Sequence, residues 1–132
     1  MGKFVLVVDD DADCREVLRV LLEAEGHECI SASDGAEALE ALQIATPSVV
    51  VLDVMMPNVH GLDVIRSMRA DPRLADVPVV LVSAAPTGSY ASVETDPYVR
   101  VAPKPLDVDR FLGVMRDLLP PQADSRATAI PD

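Results

Sequence analysis

Tryptophan is absent from this 132-residue chain, and Phe and Tyr contribute only two residues each. A core without large aromatic anchors must be filled by Val, Leu, Ile and Ala, which suits the space between a sheet and its covering helices. Cysteine is almost as scarce. Cys14 and Cys29 have no CxxC spacing, so they read as reduced, buried, small apolar residues and not as a disulfide or thiolate metal pair. Positive charge is short as well: 11 Lys and Arg stand against 22 Asp and Glu, a net charge of −11. No basic stripe is available to release counterions from a phosphate backbone, so direct nucleic-acid binding is not expected. Long apolar runs are missing too. Lys3 is followed by five apolar residues and then three aspartates, which is no signal peptide, and nothing approaches the roughly 20 residues of a membrane span. These absences leave a soluble, cytoplasmic, single-domain chain without membrane insertion as the expectation.

What the chain does have is alternation. Residues 4–8, all apolar, predict a strand buried on both faces that runs out into Asp9, Asp10 and Asp11. A helix follows with Val17, Leu18, Leu21 and Leu22 at helical spacing and Arg15, Arg19 and Glu23 facing away. Asp13 with Glu16 gives a capping box at its start, and Gly26 a stop. Residues 28–33 predict a short second strand; Asp34 and Glu37 repeat the capping spacing before a helix bearing Ala38, Leu39 and Leu42. Thr46, Pro47 and Ser48 break that helix. Val49, Val50, Val51 and Leu52 form a third buried strand ending in Asp53, and Pro57 stops any continuation into a helix.

Gly61 opens a helix with Leu62, Ile65 and Met68 on one face and Val64 at the edge of that face, ended by Asp71 and Pro72. Residues 78–82 predict a fourth strand reaching Ser83, and residues 98–102 a weaker fifth running into Pro103, Lys104 and Pro105. The last helix, 108–119, buries Phe111, Leu112, Met115, Leu118 and Leu119 before Pro120 and Pro121. Five β-then-α units with short connections imply an α/β fold: a parallel sheet, right-handed crossovers and helices on both faces. Between the fourth and fifth strands, Pro86, Gly88 and Pro97 allow only a short helix near residues 89–95, in what should be the most mobile segment. Residues 1–119 read as one domain. Residues 120–132 are polar and aperiodic, and read as a disordered tail.

In open α/β sheets, ligands bind beyond the carboxyl ends of the strands. This chain delivers Asp9 and Asp10 there from the first strand, Asp53 from the third, Ser83 from the fourth and Lys104 after the fifth. Crowded carboxylates repel: a pair about 4 Å apart costs roughly 4 kcal/mol at an effective dielectric of about 20. Either one stays protonated or a cation sits among them. Oxygen ligands without His or Cys favour Mg²⁺ over zinc or copper. A lysine and a hydroxyl are what a phosphoryl group needs on its remaining oxygens.

Together these residues resemble the receiver domain of the two-component response-regulator family, from residue 3 to about 119. The matching pieces are Val7-Val8-Asp9-Asp10-Asp11, Leu52-Asp53-Val54-Met55-Met56-Pro57 with Gly61, Val82-Ser83-Ala84, and Lys104-Pro105. The resemblance implies a flavodoxin-like, doubly wound five-stranded sheet in order 2-1-3-4-5. It also implies roles. Asp53 would take a phosphoryl group from a sensor histidine kinase or a histidine phosphotransfer protein. Asp9, Asp10, Asp53 and the Met55 backbone carbonyl would hold Mg²⁺. Lys104 would pair with the phosphoryl oxygens and Ser83 would hydrogen-bond them, with a cis Lys104–Pro105 bond. On this likeness the chain is a stand-alone phosphoacceptor switch acting through a downstream protein, and not a turnover enzyme.

Some positions depart from the family pattern. Val101 stands where an aromatic residue usually couples to the hydroxyl's movement, and Tyr98, at an odd offset, falls on the other face of the strand. Pro103 stiffens the approach to Lys104, and His60 replaces a common acid. Other classes fit the residues less well. An Asp-nucleophile phosphohydrolase wants an acid two residues past the nucleophile, but position 55 is Met. A non-phosphorylated interaction domain would not need all five site residues. A dinucleotide site is excluded because the first strand-to-helix turn lacks glycine and is acidic.

Overall fold

The computed structural model describes residues 4–54, 60–83 and 96–119. The apolar runs become strands because both of their faces are covered. β1 (Val5–Val8), β3 (Val49–Leu52) and β4 (Val79–Ser83) are buried along their whole length. β2 (Cys29–Ala32) and β5 (Val99–Pro103) are the half-exposed edges. All neighbours pair in parallel, in the order β2-β1-β3-β4-β5, as the family likeness implied. Four helices are described: α1 (Ala12–Ala24), α2 (Gly35–Ile44), α3 (Gly61–Arg69) and α4 (Val108–Leu118). The helix expected near residues 89–95 and the tail 120–132 lie outside the described residues.

Strand alternation divides the core in two. Val5, Val7, Val49, Val51, Val80 and Val82 face Leu18 and Leu22 of α1 and Phe111 and Met115 of α4. Leu6, Val8, Val50, Leu52, Val79 and Leu81 face Ala38 and Leu42 of α2 and Val64, Ile65 and Met68 of α3. Each face therefore carries two described helices, the doubly wound arrangement. Cys14 and Cys29 are free and half-buried against the first of these clusters. Burial, joined by the charges of Asp9 for Cys14 and Glu23 for Cys29, pushes both thiols up to about 11.

Several local expectations need correction. Asp11, not Asp13, caps α1: its extended backbone lets its carboxylate accept from Asp13 N–H at 2.9 Å and Cys14 N–H at 3.3 Å, while Asp13 is already helical. Val17 is 51% exposed, because the buried stripe of α1 narrows to Leu18 and Leu22 with Leu21 at its margin. On α3 the roles of Leu62 and Val64 are exchanged: Val64 is fully buried and Leu62 only partly. Leu112 and Leu118 of α4, and Leu119 just after it, flank the core and are not within it. The Asp34 cap of α2 is as expected, accepting from Glu37 N–H at 2.8 Å, and the Glu37 side chain accepts from Ser33 N–H at 2.7 Å.

One long-range clamp was not foreseen. Arg69, at the end of α3, donates Nε to Asp96 Oδ2 at 2.7 Å and Nη1 to the carbonyls of Leu74 and Val77 at 3.2 and 3.0 Å. Its guanidinium also lies 5.7 Å from the Tyr98 ring centre. The end of α3 and the turn that follows it are thereby tied to the entrance of β5, 27 residues further along the chain.

Candidate functional site

The sheet register brings the site together. Val8 pairs with Leu52, and Leu52 with Leu81, so β1, β3 and β4 reach their carboxyl ends nearly level. The residue after Val8 is Asp9 and the residue after Leu52 is Asp53. Asp53 N–H donates to the Val8 carbonyl at 3.0 Å, which continues the ladder one rung past the strands. Ser83 closes β4 one rung further on, buried, and its carbonyl accepts from Lys104 N–H at 3.0 Å. Lys104 therefore starts beside the site because β5 runs parallel to β4.

The carboxylates of Asp9, Asp10 and Asp53 have ligand oxygens within 4.8 Å of one another. Asp9 is only 1% exposed and Asp53 7%, while Asp10 is exposed. Burying a carboxylate is costly unless it is paired and hydrogen-bonded. Lys104 Nζ supplies the pairing, 3.4 Å from Asp9 Oδ2 and 3.6 Å from Asp53 Oδ2. Asp11 N–H adds a bond to Asp9 Oδ1 at 2.9 Å. Burial works against the charge of Lys104, but Asp53 and Asp9 more than offset it, and its pKa is raised. Three negative groups still face one ammonium. The remaining imbalance, and a donor set made only of carboxylate oxygens, fit a hard divalent cation held by Asp9, Asp10 and Asp53.

Backbone packing sets the position of Asp53. Gly61 opens α3 against the chain just after β3, donating N–H to the Val54 carbonyl at 3.0 Å. A Cβ on Gly61 would lie 2.4 Å from the Asp53 carbonyl oxygen and 2.9 Å from Val54 Cα. Only glycine permits this approach. His60 caps α3, its Nδ1 accepting from Leu62 N–H at 3.2 Å. That is a local structural use for a residue read from the sequence only as a replaced acid. The Lys104–Pro105 bond is cis.

Asp9, Asp10, Asp53 and Lys104 are thus gathered in one place, and Ser83 is joined to them through Lys104. Met55 lies outside the described residues. Two residues of α1 escaped the sequence reading. Cys14 lies close enough to Asp9 that burial first, and that carboxylate second, push its thiol up to about 11. Arg15, expected to face away, donates Nη1 to the Asp9 carbonyl at 2.7 Å. The available signal was a basic residue in the first turn of a helix, where the macrodipole disfavours it.

The response regulator receiver domain model matches residues 5–112. Among curated proteins, the DNA-binding response regulator MtrA of Mycobacterium tuberculosis is 42% identical over 84 residues, covering 64% of this chain and 36% of MtrA. The phosphate regulon transcriptional regulatory protein PhoB of Pseudomonas aeruginosa is 33% identical over 84 residues, 64% of this chain and 37% of PhoB. The matched stretch thus spans little more than a third of these relatives. Among solved structures, the chemotaxis response regulator CheY4 of Vibrio cholerae superposes with a TM-score of 0.81 at 26% identity, covering 90% of this chain and 99% of that one. A response regulator receiver protein from Pseudomonas putida gives 0.80 at 29% identity, with 89% and 98% covered.

Proposed function

The chain belongs to the response regulator receiver domain family, and from that premise we propose that it is a phosphoacceptor switch whose acceptor is Asp53. The observation that carries the reading is the burial of Asp53 beside Lys104 Nζ, at 3.6 Å, with the carboxylates of Asp9 and Asp10 within 4.8 Å. In the proposed reaction an Asp53 carboxylate oxygen attacks the phosphorus of a phosphohistidine. The P–N bond breaks, its electron pair leaves with the imidazole nitrogen, and an acyl phosphate forms. Water later attacks that phosphorus, returning the Asp53 carboxylate and inorganic phosphate.

A carboxylate is a weak nucleophile, so placement and charge must do most of the catalysis. Mg²⁺, held by Asp9, Asp10 and Asp53 with the Met55 carbonyl, would neutralise charge developing on the transferring phosphoryl oxygens. Lys104 would turn from the carboxylates it now neutralises to those oxygens, a short step from its present position. Ser83, buried at the end of β4, would donate its hydroxyl to the same group. Met55 offers no proton to an outside leaving group, so turnover is confined to the protein's own acyl phosphate.

The donor is a sensor histidine kinase or a histidine phosphotransfer protein, and the output is altered binding of a downstream protein. Among the described residues no helix is long and apolar enough to cross a membrane. Exchange with a kinase would take place in the cytoplasm. The net charge of −11 speaks against nucleic-acid contact by this domain itself. The test is incubation with acetyl phosphate and Mg²⁺ followed by intact mass. Wild type should gain one phosphate and Asp53→Asn none; equal labelling of both would remove Asp53 from the role.

A further inference from the structure

Arg15 is the fourth residue of α1, close to the end where outward-pointing N–H groups make a cation least welcome. It is half-buried, and its guanidinium folds back over the first turn to hold the Asp9 carbonyl at 2.7 Å. That carbonyl belongs to the peptide joining Asp9 to Asp10, two of the three carboxylates in the cluster. The rest of Asp9 is also pinned: its N–H donates to Ala32 O at 3.2 Å, and its Oδ1 accepts from Asp11 N–H at 2.9 Å. Asp10 differs. Its carboxylate is exposed, so its direction depends on how the Asp9–Asp10 peptide is turned.

We propose that Arg15 is a positioning residue for the divalent-cation site, fixing the rotation of the Asp9–Asp10 peptide so that both carboxylates converge on one ion. The inference rests on the cation reading given above. It assigns to a residue that is no ligand a share of the site's affinity. A charge-assisted bond to a carbonyl is stronger than a neutral one, and losing it frees the peptide to turn. The positive charge alone would weaken cation binding by repulsion; the ordering effect runs the other way and is the larger. Removing Arg15 should therefore loosen the ion, whereas simple electrostatics predicts tighter binding.

The test uses the full chain and Mn²⁺ as probe, with binding followed by water-proton relaxation and unfolding by urea in EDTA. Arg15→Ala should weaken Mn²⁺ binding about tenfold. Arg15→Lys, which keeps a charged donor on a different stem, should recover part of the loss. Arg66→Ala, which removes an exposed cation paired with Asp63, should leave the affinity unchanged. The urea midpoints should stay close together. Unchanged or tighter binding by Arg15→Ala would overturn the proposal, as would an affinity loss matched by a collapse of the EDTA midpoint. Absence of Mn²⁺ binding by wild type would overturn the cation reading itself, and this proposal with it.

Discussion

Two glycines offer one substitution with opposite expected signs. At Gly61 an added Cβ meets the Asp53 carbonyl oxygen at 2.4 Å and Val54 Cα at 2.9 Å, both backbone atoms that no rotamer change can move. Ordinary contact is about 3.5 Å, so α3 must retreat by roughly an ångström or the chain after β3 must bend. Such overpacking typically costs about 1–3 kcal/mol, and the retreat also stretches the Gly61 N–H bond to Val54. At Gly113, in the middle of α4, a Cβ meets nothing within 4 Å. There the exchange should only reduce backbone freedom, a gain of about 0.5–1 kcal/mol. Gly61→Ala is expected to lower stability by about 2 kcal/mol, near 8 °C in midpoint for a domain of this size. Gly113→Ala should raise it slightly. Urea and thermal unfolding give both numbers. Labelling of the Gly61 variant with acetyl phosphate should be slower, because the strain falls on the peptide of Asp53, the proposed acceptor. Gly61→Ala within about 0.5 kcal/mol of wild type would refute the packing argument.

The acidic cluster should be a stability cost when no ion is bound. Asp10→Asn is therefore expected to raise the unfolding midpoint in EDTA, by under about 1 kcal/mol since Asp10 is exposed, and to weaken the further rise on adding Mg²⁺. A lower EDTA midpoint would count against repulsion. The Arg69 clamp gives a pH signature. Burial of Asp96 is outweighed by its bonds from Arg69 and Tyr98 N–H, which hold its carboxyl below the usual range. Its contribution is thus complete above the unfolded value of about 3.9 and is lost as pH falls through the lower, folded value. Asp96→Asn should cost about 1–2 kcal/mol at neutral pH. Urea unfolding should show that gap closing in acid; a gap that persists there would assign the loss to packing.

How much was readable in advance depended on the range of the interaction. The strand runs and the acids that follow them are local signals: four apolar residues before Asp53 announce both a buried strand and where it stops. Parallel pairing in register then turns those separate stops into one site, and alternation of strand and helix in the sequence already implied that pairing. The α1 errors came from weighing pattern over geometry. Asp13 and Glu16 fit a capping box by spacing, but Asp11, the third acid of the run, holds the extended backbone that a cap requires. Val17 fits the apolar period yet lies beyond the stripe the sheet can cover. Arg15 and Arg69 were missed for a different reason. Each bonds groups whose nearness exists only after folding, and a charged residue on a helix reads by default as a solvated one.

β2 is the edge strand that feeds nothing into the acidic cluster. It pairs with β1 alone, two of its four residues (Ile30 and Ser31) are exposed, and its last residue, Ala32, sends no charged or hydroxyl group toward the acidic cluster. The strand and its following helix thus form a flank that contributes packing to the core and no residue to the acidic cluster. A fluorophore or spin label tethered at Ser31 would ride on the edge of the sheet without entering the acidic cluster, which makes that flank a natural mounting point for watching the proposed switch.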